Sequence, residues 1–317
     1  MSTSARNNSD DQDIELKHNS LRLRTSAYGA SLRGCWQETP AGFRRDIVTS
    51  YQGRANKVGG QGDVLIPFPG RINEGRYRFN EVAHQLECND KEGPNAIHGF
   101  LRAEPWSIMD RSESHIQFAV DLDATAHKGY PFSLHTQVSY SLADGGFTCS
   151  YRICNTGESA APVAAGFHPY FSVGSEPIDD WTLQLPFAAT LEFENLIPTG
   201  RILPVEGTEF DFRSPRKIGS TTLNTCFVNP QRDEDDNGAR ISIRLTGPDG
   251  RAIVIWADKS LDYFVLYSGD PLPEPHRRRS LAIEPMTSGS DGFNHQEWGL
   301  ISLEPGAATS GTWGVAV

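Results

Sequence analysis

The stretch HIQFAVDL at residues 115–122, with LHTQVSYSLADGGFTCSYRICN at 134–155, decides the fold. Ile116, Phe118, Val120 and Leu122 alternate with polar or small residues, and Phe147, Cys149, Tyr151 and Ile153 do the same. Leu134, Val138, Tyr140 and Leu142 keep that phase, broken only at Thr136. A period of two places one side of a strand on a core and the other towards water. Working outward, Ile241, Ile243 and Leu245 repeat the pattern. Turn signals punctuate the runs at Asp144-Gly145-Gly146, Asn155-Thr156-Gly157 and Pro248-Asp249-Gly250. Helical spacing never holds for three turns. The chain is expected to be a large antiparallel all-β protein.

Its 317 residues suffice for a sizeable core without disulfides or metal. Hydrophobic residues at 38% and charged ones at 22% exclude wholesale disorder. A net charge of −11 argues against a nucleic-acid backbone or an anionic membrane as partner. No apolar run is long enough for a membrane helix. Five cysteines, Cys35, Cys88, Cys149, Cys154 and Cys226, form no C-x-x-C pair and fit a reducing cytoplasm, with the thiols as small buried apolar groups. Residues 1–13 read as a disordered tail and 14–317 as one domain. Two charged spots, Asp233-Glu234-Asp235-Asp236 and His276-Arg277-Arg278-Arg279, read as loops. The first partly fits a calcium loop through Asp233, Asp235, Asn237 and Gly238, but Arg244 stands where a bidentate Glu is needed.

Phosphate-loop, nucleophile-elbow and H-E-x-x-H signatures are absent from the sequence. Three segments place titratable groups where a strand or turn does not ask for them. In Asn95-Ala96-Ile97-His98-Gly99-Phe100-Leu101-Arg102, Gly99 lets the chain turn after His98. In Gly166-Phe167-His168-Pro169-Tyr170-Phe171, an imidazole is wedged between aromatics and stiffened by Pro169. In Leu281-Ala282-Ile283-Glu284-Pro285-Met286-Thr287, a carboxylate ends an apolar run, where burial raises its pKa. A fourth segment, Pro67-Phe68-Pro69-Gly70-Arg71-Ile72, holds an Arg in a proline-stiffened loop. Each has an ordinary structural alternative: a hydrogen-bonded core His, a strand-end carboxylate, surface ion pairs for Arg71 and Arg102, core packing for Tyr170.

Taken jointly and in order, these motifs resemble the aldose 1-epimerase (galactose mutarotase) family, from about Ile14 to Val317. Ile14-Glu15-Leu16, Tyr28-Gly29-Ala30, Gly62-Asp63-Val64-Leu65-Ile66-Pro67 and Leu303-Glu304-Pro305-Gly306 extend the match. The resemblance implies the β-supersandwich of galactose mutarotases and the interconversion of α and β anomers of a free aldohexose such as galactose or glucose. Ring opening takes a proton from the C1 hydroxyl and delivers one to the ring oxygen, which one carboxylate and one imidazole can do. By similarity Glu284 is the base and His168 the acid, on opposite flanks of the sugar, with Glu ionised and His protonated near neutral pH. Arg71 and His98 match positions that hold the sugar, with Asn224, Tyr170 and Arg102 as further substrate contacts. Asn224 stands where the family usually has Asp, and Gly29-Ala30 where paired glycines are common.

The implied partner is a small sugar, with no cofactor and no metal. The chain is expected as a cytoplasmic monomer or homodimer. Two other functions stay open: an epimerase for a phosphorylated or sulfonated sugar, from the basic run, and a sugar-binding protein without catalysis, from Asn224. A zinc site of His98, His168 and Glu284 is a further possibility from residue types alone.

Overall fold

The alternating stretches pair as their periodicity demands. In the computed structural model, which describes residues 11–233 and 240–317, the strand His115–Leu122 runs antiparallel to Leu134–Ala143, with Phe118 opposite Val138. The chain turns at Asp144 and Gly145 into Gly146–Asn155, where Val138 faces Tyr151 and Tyr140 faces Cys149. Phe118, Val138, Tyr140, Cys149 and Tyr151 are all buried. Thr136, the apparent break, keeps the same inward phase between Val120 and Ile153. It is fully buried, and its hydroxyl has no hydrogen-bond partner among the described residues.

These strands belong to a nine-stranded sheet that runs from Ser107–Arg111 at one edge to Arg216–Lys217 at the other, with Ala308–Ala316 at its centre. A second, twelve-stranded sheet runs from Asp13–His18 to Ile197–Pro204. Its middle is the succession Tyr170–Phe171, Leu281–Met286, Tyr263–Tyr267 and Asn224–Pro230. The two sheets close on one apolar core that draws residues from Ile14 to Val315. Trp313 of the first sheet packs on Phe167 and Phe171 of the second, ring centroids 5.6 and 6.5 Å away. All strand pairs are antiparallel, and the only helical segments among the described residues are four single 3-10 turns. No helix among those residues is long and apolar enough to cross a membrane.

Several expectations change in detail. Asp13 opens the first strand, and the buried Arg33 pairs with Asp11 and, at 2.7 Å, with Asp13; the rest of the expected tail, residues 1–10, lies outside the described residues. Only Cys35, Cys149 and Cys226 are buried; Cys88 is exposed and Cys154 half-buried. Ala30 adopts φ +44°, the left-handed region a side chain resists, which is why glycine suits that turn. The partial calcium loop lies, beyond Asp233, outside the described residues, and Arg244 sits in the strand Ile241–Thr246. The basic run is a loop, but Arg278 is half-buried and engaged with Asp179, Asp270 and the carbonyl of Gly219.

Candidate active site

Strand register brings the two key side chains together. Gly166 pairs with Met286 and Tyr170 with Ala282, so His168, midway in one segment, falls opposite Glu284, midway in the other. Directly opposed residues in an antiparallel pair project from the same side. His168 Nε2 lies 3.3 Å from Glu284 Oε1. The two side chains are in direct contact, on the face that this register gives them.

Both groups are almost fully withdrawn from water, at 8% and 4% side-chain exposure. Burial pushes the Glu284 carboxyl well above its ordinary range, and the Arg71 guanidinium pulls it back only in part. Burial also pulls the His168 imidazole down. Both shifts favour the uncharged forms over the carboxylate and imidazolium that ordinary pKa values imply, because a dry site penalises charge. His168 Nδ1 is buried without a partner among the described residues, and Nε2 is the nitrogen that meets Glu284.

Arg71 and His98 arrive through a second pairing. The short strand Arg71–Ile72 pairs with Ala96–Ile97, Arg71 opposite Ile97. The chain then turns at His98 (φ +63°) and Gly99. A Cβ on Gly99 would lie 2.2 Å from the Ile66 carbonyl, so this approach needs glycine. The N–H of Gly70 donates to His98 Nδ1 at 3.2 Å, which leaves the neutral ring with its hydrogen on Nε2. Burial and the neighbouring His168 hold His98 well below its ordinary pKa. The ring centroids of the two histidines are 5.5 Å apart. Arg71 is braced by Asp90 at 2.7 Å through Nε and by Glu92 at 2.6 Å through Nη2.

The other expected contacts divide. Tyr170 is buried and stacks flat on His168 at 5.1 Å, so it supports the imidazole. Arg102 pairs with the buried Asp63 at 3.3 Å. Asn224 is exposed and pairs with Tyr267, which pairs with Ala282; this places Asn224 on the face that carries Glu284, two strands away. His98, His168 and Glu284 do not form a metal-holding group among the described residues. A cleft of about 440 Å³ is walled by Lys57, Phe100, Arg102 and His127, but not by His168 or Glu284.

Tyr267, Lys57 and Asp63 were missed as site residues. Tyr267 carried a signal: in Tyr263–Tyr267 the inward phase belongs to Phe264 and Leu266, leaving two tyrosines on a face that is only half-exposed. Asp63 and Lys57 carried none beyond charge near an apolar run.

A model of the aldose 1-epimerase family matches residues 12–315. The uncharacterized protein YihR of Escherichia coli K12 is 30% identical over 246 residues, 77% of this chain and 75% of that one. The galactose mutarotase of Rattus norvegicus is 29% identical over 320 residues, covering 93% and 90%. The crystal structure of a GalM/aldose epimerase homologue from C. elegans superposes with a TM-score of 0.83 at 19% identity, covering 96% and 98%.

Proposed function

Because the chain belongs to the aldose 1-epimerase family, a family of isomerases, we propose that it interconverts the α and β anomers of a free aldohexose such as galactose or glucose, with Glu284 as base and His168 as acid. The observation that supports this most is the 3.3 Å contact between them. The C1 hydroxyl and the ring oxygen are bonded to the same carbon, so an acid and a base that serve both must themselves be neighbours.

The proton count closes. Substrate hydroxyls entering the site offset the lost water, and the shared proton moves to His168 Nε2. Glu284 then takes the C1 hydroxyl proton while His168 delivers its own to the ring oxygen. The C1–O5 bond breaks and C1 becomes the aldehyde. The pair now has its proton on Glu284, the neutral form that burial favours. After rotation about C1–C2, His168 reclaims the O5 proton as O5 attacks C1, and Glu284 returns a proton to the new C1 oxygen. Each step is ordinary general acid–base catalysis. Arg71 and the Nε2–H of His98 supply donors for sugar oxygens beside this centre, and Asn224 for a more distant hydroxyl.

The test is polarimetry of freshly dissolved α-anomers across a panel of neutral and anionic aldoses. Faster relaxation of neutral hexoses is the expected result. Preference for a phosphorylated or sulfonated sugar would redirect the substrate assignment. Tight binding in calorimetry without any acceleration would leave a binding protein.

A further inference from the structure

The segment Lys57–Asp63 holds His168 by its main chain and lies against its ring. The N–H of His168 donates to the carbonyl of Asp63 at 3.0 Å, and its carbonyl accepts from the N–H of Gly62 at 2.9 Å. Gly60 lies against the ring: a Cβ there would sit 2.4 Å from His168 Cδ2. Next to it, a Cβ on Gly59 would meet the Tyr170 hydroxyl at 3.0 Å. The Asp63 carboxylate, 2% exposed, binds Lys57 Nζ at 2.7 Å and Arg102 Nη1 at 3.3 Å. Arg102 in turn donates through Nη2 to the carbonyl of Ile97 at 3.4 Å, next to His98.

We propose that Asp63 is a positioning residue for both histidines: its main chain fixes His168, and its carboxylate, through Lys57 and Arg102, braces the segments that carry the two rings. A buried carboxylate with two cations is a rigid three-way joint, since leaving any of the three unpaired there is unfavourable. It also sets the charge around the acid. The groups facing His168 are Glu284 in contact, Tyr170 stacked on the ring, His98 across the site, and Lys57 and Arg102 with Asp63 between them, with Arg71 beyond Glu284. Lys57 and Arg102 both disfavour a proton on His168, and the negative charge of Asp63 offsets them. The inference rests on the reading of His168 as proton donor.

Asp63→Asn keeps the size and removes the charge. The expected result is a fall in kcat on the order of 10²-fold, as for a displaced catalytic group, with KM little changed. The His168 titration, followed by NMR of ¹⁵N-labelled histidine, is expected to move down. Adding Lys57→Met to Asp63→Asn removes one uncompensated cation and is expected to restore part of the lost kcat. Lys57→Met alone is expected to raise the His168 midpoint. A wild-type kcat and titration in Asp63→Asn would overturn the proposal. So would a double variant no better than the single one. Should Asp63→Asn fail to fold, an unmoved His168 midpoint in Lys57→Met overturns it instead. A wild-type protein inactive on every aldose removes the donor role, while the titrations still report whether this cluster governs His168.

Discussion

Glu284 and His168 each sit where their charged forms are disfavoured, and this governs what substitution and pH will do. Glu284→Gln or His168→Asn is expected to lower kcat by about 10²- to 10⁴-fold, the usual range for a lost general acid or base, read from anomer-exchange rates. The carboxyl of Glu284 is raised in the folded protein, so the native state binds that proton more tightly than the unfolded chain. The stabilisation this brings is present below the ordinary carboxyl pKa and fades as pH climbs through the raised one. Glu284→Gln removes that loss, so its Tm at pH 8 is expected to equal or exceed that of the wild type even as activity disappears. Activity itself needs one proton on the pair. Its acid limb is expected well below the ordinary imidazole value of 6.5, towards the His168 value of about 3. Its alkaline limb is expected above the ordinary carboxyl value of 4.5. A kcat–pH profile with an acid limb at 6.5 would show that His168 keeps ordinary solvation.

Among the elements, Leu281–Met286 carries Glu284. Leu281 and Ile283 point to the core and Ala282, Glu284 and Met286 to the opposite face, and all are buried. Ile283→Ala is expected to destabilise by about 2–5 kcal/mol, measured by denaturant unfolding. Thr136 in Leu134–Ala143 offers the opposite test. Its buried hydroxyl has no partner among the described residues, so Thr136→Val is expected to be neutral or stabilising, by up to about 1 kcal/mol. The strands themselves were legible because alternation needs only the local sequence, and Phe118, Val138 and Tyr151 fell on the expected face. The residue types of the site were legible too, as an imidazole and a carboxyl in apolar surroundings. Their contact was not: it depends on Gly166 pairing with Met286 across more than a hundred residues, and register between distant strands leaves no local mark. The shift of both groups towards their uncharged forms follows from burial, which that same pairing creates.

At the scale of the whole molecule, the site joins segments of the twelve-stranded sheet, which bring His168 and Glu284, to a separate two-stranded pairing, which brings Arg71 and His98. Trp313, buried between the sheets, contacts Phe147, Phe167 and Phe171. Trp313→Ala is expected to cost roughly 3–5 kcal/mol, with a matching drop in Tm. Arg71, His98, His168 and Glu284 come together though they span over two hundred positions of sequence. The function proposed for this arrangement depends on one imidazole and one carboxyl trading a proton at a single anomeric carbon. The most direct measurement is NMR saturation transfer between the α and β anomeric signals of galactose and glucose at equilibrium, with wild type, Glu284→Gln and His168→Asn side by side. Exchange far above the buffer rate in the wild type, abolished in both variants, is the expected result. Exchange at the buffer rate in the wild type, or undiminished in either variant, would contradict it.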